Sequence, residues 1–229
     1  MMQDALDRLD AASELAGDGQ FDAALRELQW FHEQALEHDP SLYGVRLSYA
    51  LHAWVDLGAD YQPALDALLA TRERDAALLL AGKGKRGLFH DVVAIDEELG
   101  QGADTHVLCV ALERTDPVLL AACADIALPA IIAAGDYALA ERLLPDPGAT
   151  IGQRSRSLMK TFSRWRRQHA RTMFIGSQIG IYAADVRQVL EVLVQRGRHA
   201  EAARLRRLAV ELIPATTVRR AVRAALYAS

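Results

Sequence analysis

The sequence predicts an all-α fold, and three observations carry that expectation. Apolar residues recur at helical spacing, helix-long segments end at regularly placed glycines, and no long stretch alternates apolar and polar residues with period two. Periodicity is clearest after the Gly19 turn, where Phe21, Ala24, Leu28, Phe31 and Ala35 fall on one stripe, with Asp22, Arg26, Glu33 and Glu37 opposite. Further segments follow at about 41 to 57 before Gly58, 63 to 80 before Gly82, and 87 to 99 before Gly100. Asp116-Pro117 reads as an N-cap followed by proline at the first helical position, starting a helix that runs to Gly135 and bends at Pro129.

Composition narrows the class. With 229 residues and 51% apolar content, the chain suits one elongated domain or two small ones with a real core. The opening Met1-Met2-Gln3-Asp4 has no basic stretch leading into an apolar one, and no later segment offers a membrane span, so a cytoplasmic protein is expected. Cys109 and Cys123 stand fourteen apart without a Cys-x-x-Cys spacing, which argues against a disulfide framework or a zinc site. Only Lys83, Lys85 and Lys160 are lysine among the 26 basic residues, a bias common in GC-rich bacterial genomes.

The net charge of −4 hides a division. Residues 1 to 150 hold 10 Lys/Arg against 26 Asp/Glu, whereas residues 151 to 229 hold 16 against 4. The sign changes at Pro145-Asp146-Pro147-Gly148, the one candidate linker. The expected division is therefore an acidic helical-repeat section, 1–147, and a basic one, 148–229, closed by a C-terminal capping helix; the two sections are also compatible with one continuous solenoid.

Helix, glycine turn and helix at repeated intervals calls for an internal period. Gly197, His199, Ala202, Ala209 and Pro214, with Val189 and Leu193 before them, reproduce the spacing of a 34-residue repeat. Gly19, Phe21 and Ala24 begin the same pattern, with Ala35 and Pro40 four residues late. Gly135, Tyr137 and Ala140 match again, as do Tyr61, Ala64 and Leu68 without the glycine. This spacing resembles the tetratricopeptide repeat family over about half the chain, without that family's first-helix tryptophan. The resemblance implies an α-solenoid of antiparallel helix pairs whose concave face holds peptides or other proteins. Aligned to the family's groove positions, Arg46, Tyr49, Arg187, Gln188 and Glu191 are the candidate partner contacts.

Catalytic templates fit poorly. Gly82-Lys83-Gly84-Lys85-Arg86-Gly87 satisfies Gly-x-Gly-x-x-Gly between the apolar runs 76–81 and 107–112, but the first run lacks β-branched residues and no further strands are predicted. His32-Glu33 would begin a metalloprotease motif, yet Leu36 stands where a second histidine is needed. The seven histidines show no ligand spacing, so no metal, cofactor or enzymatic activity is expected. The remaining constellation is a basic amphipathic helix over 154–173. Its residues Arg156, Lys160, Arg164, Arg167 and Arg171 share about 80° of one face, opposite Leu158, Phe162, Trp165, His169 and Met173. The leading expectation is an interaction scaffold or adaptor for another protein or peptide. Nucleic-acid binding through the basic helix is the alternative, and a nucleotide-using enzyme built on the 82–87 loop is the third.

Overall fold

The computed structural model describes residues 2–168 and 172–227, with the side chains of 4–163 and 175–227. Among these residues the chain is helical throughout, without a strand. Its helices are α1 (Met2–Gly17), α2 (Phe21–His38), α3 (Tyr43–Arg46), α4 (Tyr49–Asp60), α5 (Gln62–Leu80), α6 (Arg86–Glu98), α7 (Gly102–Thr115), α8 (Pro117–Ala122), α9 (Ala124–Ala133), α10 (Tyr137–Arg142), α11 (Pro147–Gln168), α12 (Thr172–Gln195), α13 (His199–Glu211) and α14 (Thr216–Tyr227). None is long and apolar enough to cross a membrane.

The glycine stops have one geometry. Gly19, Gly82, Gly100, Gly135 and Gly197 all have φ between 67° and 75°, a left-handed conformation that costs an L side chain energy and glycine very little. At Gly19 the N–H bonds to the Ala16 carbonyl and the next N–H, from Gln20, reaches back to Leu15, which together cap the exposed end of α1. Gly197 and Arg198 repeat the arrangement on Val194 and Leu193.

Gly58 differs from the expected stop. It lies inside α4, buried, and a Cβ placed on it would stand 3.1 Å from Leu65 Cβ and 3.3 Å from Leu65 backbone atoms, so it permits close approach of α4 and α5. The segment before it is not one helix either. Pro40 opens a single 3-10 turn capped by Asp39, whose carboxylate accepts from Ser41 N–H at 2.8 Å, and α3 then ends at Arg46, two residues before Ser48, whose hydroxyl donates to Gly44 O at 2.8 Å. The predicted helix 116–135 likewise divides at Cys123, where one N–H is shared between the Leu119 and Leu120 carbonyls, while Pro129 sits within α9. Its predicted cap is present: Asp116 Oδ1 accepts from Leu119 N–H at 2.9 Å.

The chain forms two compact units, residues 1–130 and 131–229. The Pro145–Gly148 cluster, where the charge changes sign, lies within the second, and Pro147 starts α11. In the first unit α1 packs on α2, α2 on α4, α4 on α5, α5 on α6 and α6 on α7, and α4 also meets α6 and α5 meets α7. Ala24, Leu28, Phe31, Leu51, Trp54 and Leu68 are buried in its core, and Trp54 Nε1 donates to Ala64 O at 2.9 Å. In the second unit α12 packs against α10, α11, α13 and α14. Val186, Leu190, Leu193, Leu205 and Ala209 are buried there, and α14 adds Val222 and Leu226 as the expected last helix.

Candidate functional site

Two concavities of the first unit bring polar and aromatic side chains together. One is a groove of about 330 Å³ lined from α1, α2 and α4, among others by Ala12, Phe21, Leu28, Tyr49, Asp56 and Asp60. Tyr49 is the first residue of α4, directly after the break at residues 47–48, and it is 57% exposed. The floor is aliphatic and aromatic, whereas Asp56 and Asp60 are exposed acids and His52 pairs with Asp56 at 3.5 Å.

The second concavity, a cleft of about 460 Å³, is lined by residues of α2, α3, α5 and α6, including His32, Arg46, Arg74, Asp75 and Asp91. Its polar groups are unusually deep: Asp75 is 3%, Arg46 5%, His32 6% and Asp91 8% exposed. Arg46 forms an ion pair with Asp91 through Nη2 and donates from Nη1 to the His32 carbonyl at 3.0 Å. The same Nη1 stands 3.5 Å from both ring nitrogens of His32, which puts it off the lone-pair axis of either. Arg46 Nε is buried without a hydrogen-bond partner. Arg74 donates from Nε to Asp75 Oδ1 at 2.9 Å and stands 3.6 Å from Glu33. The His32 ring meets Trp54 edge-on, with centroids 5.9 Å apart.

Burial shifts two of these groups. Loss of hydration, reinforced by the positive charges of Arg46 and Arg74, pushes the His32 pKa down to about 3, so the imidazole is neutral. Burial raises the Asp91 carboxyl above its ordinary range, against the pull of Arg46.

Comparison of the chain with protein-family models, curated proteins and solved structures finds no match.

Of the candidate partner contacts, Tyr49 lines the groove, while Arg46 is buried in the polar cleft and is absent from the groove lining. The reason is the two residues between them: α3 ends at Arg46 and α4 begins at Tyr49, so the two do not share one helix face. Arg187, Gln188 and Glu191 lie on α12 in the second unit, with Arg187 and Glu191 exposed and Glu191 accepting from Tyr137 OH at 2.9 Å. Of the basic face, Arg156 and Lys160 are exposed on α11, opposite buried Leu158. The side chains of Arg164 and Arg167, and Arg171 altogether, lie outside the described residues. The apolar run before the 82–87 segment belongs to α5 and the run 107–112 to α7, and the segment joins α5 to α6, which begins at Arg86, so it does not follow a strand.

The cleft escaped the sequence because its groups come from four helices. Asp75 and Asp91 follow His32 by 43 and 59 residues, distances that no short motif spans. One signal was available: charged residues standing at apolar helical positions, Asp91 between Phe89 and Val92 and Asp75 before Ala76, mark carboxylates that fold inward.

Proposed function

We propose that the protein is a helical-repeat scaffold whose pairs stack as an α-solenoid, and that the groove between α1, α2 and α4 takes a peptide segment of a partner protein. The observation that carries this reading is Tyr49, an aromatic side chain 57% exposed over an apolar floor. An exposed aromatic in a concavity is the kind of anchor on which binding energy concentrates. Neighbour and second-neighbour packing from α1 to α7 fits stacked pairs, in which alternate helices line one face.

The occupant is a peptide with one large apolar anchor flanked by Lys or Arg. Phe21, Leu28 and Leu57 offer the apolar seat and Asp56 and Asp60 the charge. The surrounding unit holds 9 Lys/Arg against 23 Asp/Glu, so its field favours cationic ligands.

The test is fluorescence anisotropy with labelled twelve-residue peptides carrying a central Leu, Phe or Trp between Arg or Glu flanks. Arg-flanked peptides should bind at least tenfold tighter than Glu-flanked ones, and Tyr49→Ala should remove most of that affinity without unfolding the protein. Equal binding of both sets, or full affinity in Tyr49→Ala, overturns the reading.

A further inference from the structure

The polar cleft carries a second inference, independent of the groove. His32, Asp75 and Asp91 each offer a donor atom, these atoms lie within 4.8 Å of one another, and all three residues are buried. We infer that they form a binding site for a divalent transition-metal ion of the zinc class.

The geometry suits such an ion. Ligands bound at about 2.0–2.2 Å stand roughly 3 to 4.4 Å from each other, so small rotamer adjustments bring the three donors into one shell. A metal ligand must offer a lone pair, and the buried His32 ring is placed to do so, since Arg46 lies in line with neither nitrogen. Both arginines also fit as outer partners. Arg74 holds Asp75 by Oδ1 and Arg46 holds Asp91 by Oδ1, which leaves each Oδ2 for an ion and orients the carboxylates. Two carboxylates and an imidazole are thus held close together at low exposure.

The donor set selects the ion. One imidazole nitrogen and two carboxylate oxygens favour Zn²⁺ and its first-row neighbours, whereas Mg²⁺ and Ca²⁺ prefer oxygen alone. Three protein ligands fill fewer positions than a structural zinc site uses, and the cleft opens beside them, so solvent or a small anion completes the shell.

The experiment uses the full chain, stripped with a chelator and titrated calorimetrically with ZnCl2 and, separately, MgCl2. Metal content is measured after desalting, and Co²⁺ is used as a spectroscopic substitute. One Zn²⁺ per chain with micromolar or tighter Kd, a raised Tm, and no comparable Mg²⁺ binding are expected. His32→Phe keeps the ring packed against Trp54 but removes the donor, and Asp75→Asn keeps the volume. Each should weaken Zn²⁺ binding at least tenfold while circular dichroism stays unchanged, and His199→Gln, an exposed histidine in the other unit, should bind like wild type. Should one variant fail to fold, the other and the Co²⁺ absorption bands of the unaltered protein decide. Absence of stoichiometric Zn²⁺ binding, equal Mg²⁺ binding, or wild-type affinity in folded His32→Phe overturns the inference.

Discussion

Asp96 has no exposed surface, and both of its oxygens are occupied. Arg72 meets it two-pronged at 2.8 and 3.0 Å, and the Thr105 hydroxyl donates to Oδ2 at 2.8 Å, which ties α5, α6 and α7 together. Removing the cation leaves a buried charge without its counterion, which costs about 3–5 kcal/mol. Arg72→Ala should therefore lower stability by that order in chemical denaturation, and Arg72→Ala with Asp96→Asn should recover part of the loss. The cysteines give a second prediction. Burial raises the thiol pKa from 9.0 to about 12 at Cys109 and to about 11 at Cys123. The folded thiols thus keep protons that the unfolded chain loses above pH 9. Their contribution is complete below pH 9 and falls as pH rises, through about 11 for Cys123 and 12 for Cys109. Tyr182, buried and pushed up to about 12, adds to the same trend. Stability should drop between pH 9 and 11, and Cys109→Ala should flatten that slope by up to ~1.4 kcal/mol per pH unit. At pH 8 neither thiol should react with Ellman's reagent until the protein is unfolded.

At the scale of helices, small residues decide how closely neighbours pack. Ala24 and Ala140 are 0% exposed and Ala202 4%, and each sits three residues into the helix that follows a left-handed glycine turn or its flanking residue. Replacing any of them with Leu should overpack the core by ~1–3 kcal/mol, read as a lowered Tm, while the exposed Ala200 should accept Leu with little change. Gly58 extends the argument to a helix interior. Ala is ordinarily the better helix former by roughly 1 kcal/mol, but here its methyl would press on Leu65 backbone atoms 3.3 Å away, which cannot rotate aside. Gly58→Ala should destabilise the protein, against the helix-propensity expectation.

Over the whole molecule, charge is the dominant asymmetry. Residues 131–229 hold 17 Lys/Arg against 7 Asp/Glu, opposite in sign to the first unit. Part of that excess is paired locally: Arg196 and Arg198 both hold Glu141, at 2.8 and 3.1 Å, and Arg154 meets Asp185 at 3.3 Å. Arg156 and Lys160 stand on the exposed face of α11, where substitutions ordinarily change stability by under about 0.5 kcal/mol. Arg156→Glu with Lys160→Glu should therefore leave Tm and peptide affinity in the groove nearly unchanged. The same variant tests polyanion binding. Were all five cations of the 154–173 stripe to contact phosphates, affinity for single-stranded nucleic acid would fall with a log–log salt slope near −3.5 (~0.7 per contact), and the double reversal would weaken it sharply.

Periodicity and turn chemistry are local, so the helical class, the glycine stops other than Gly58, the Asp116 cap and the buried face of α2 could all be read from the chain alone. The same logic misjudged Gly58 and the 41–57 segment. A glycine that ends a helix and one that admits a neighbour look alike in sequence, and no glycine or proline marks the break at residues 47–48. That break separates Arg46 from Tyr49, sending one into a buried cleft and leaving the other on an open groove. Tertiary structure alone brought His32, Arg46, Asp75 and Asp91 together. A buried polar cluster is stabilised only when partners from distant helices meet at hydrogen-bonding range, and no spacing along the chain encodes that meeting.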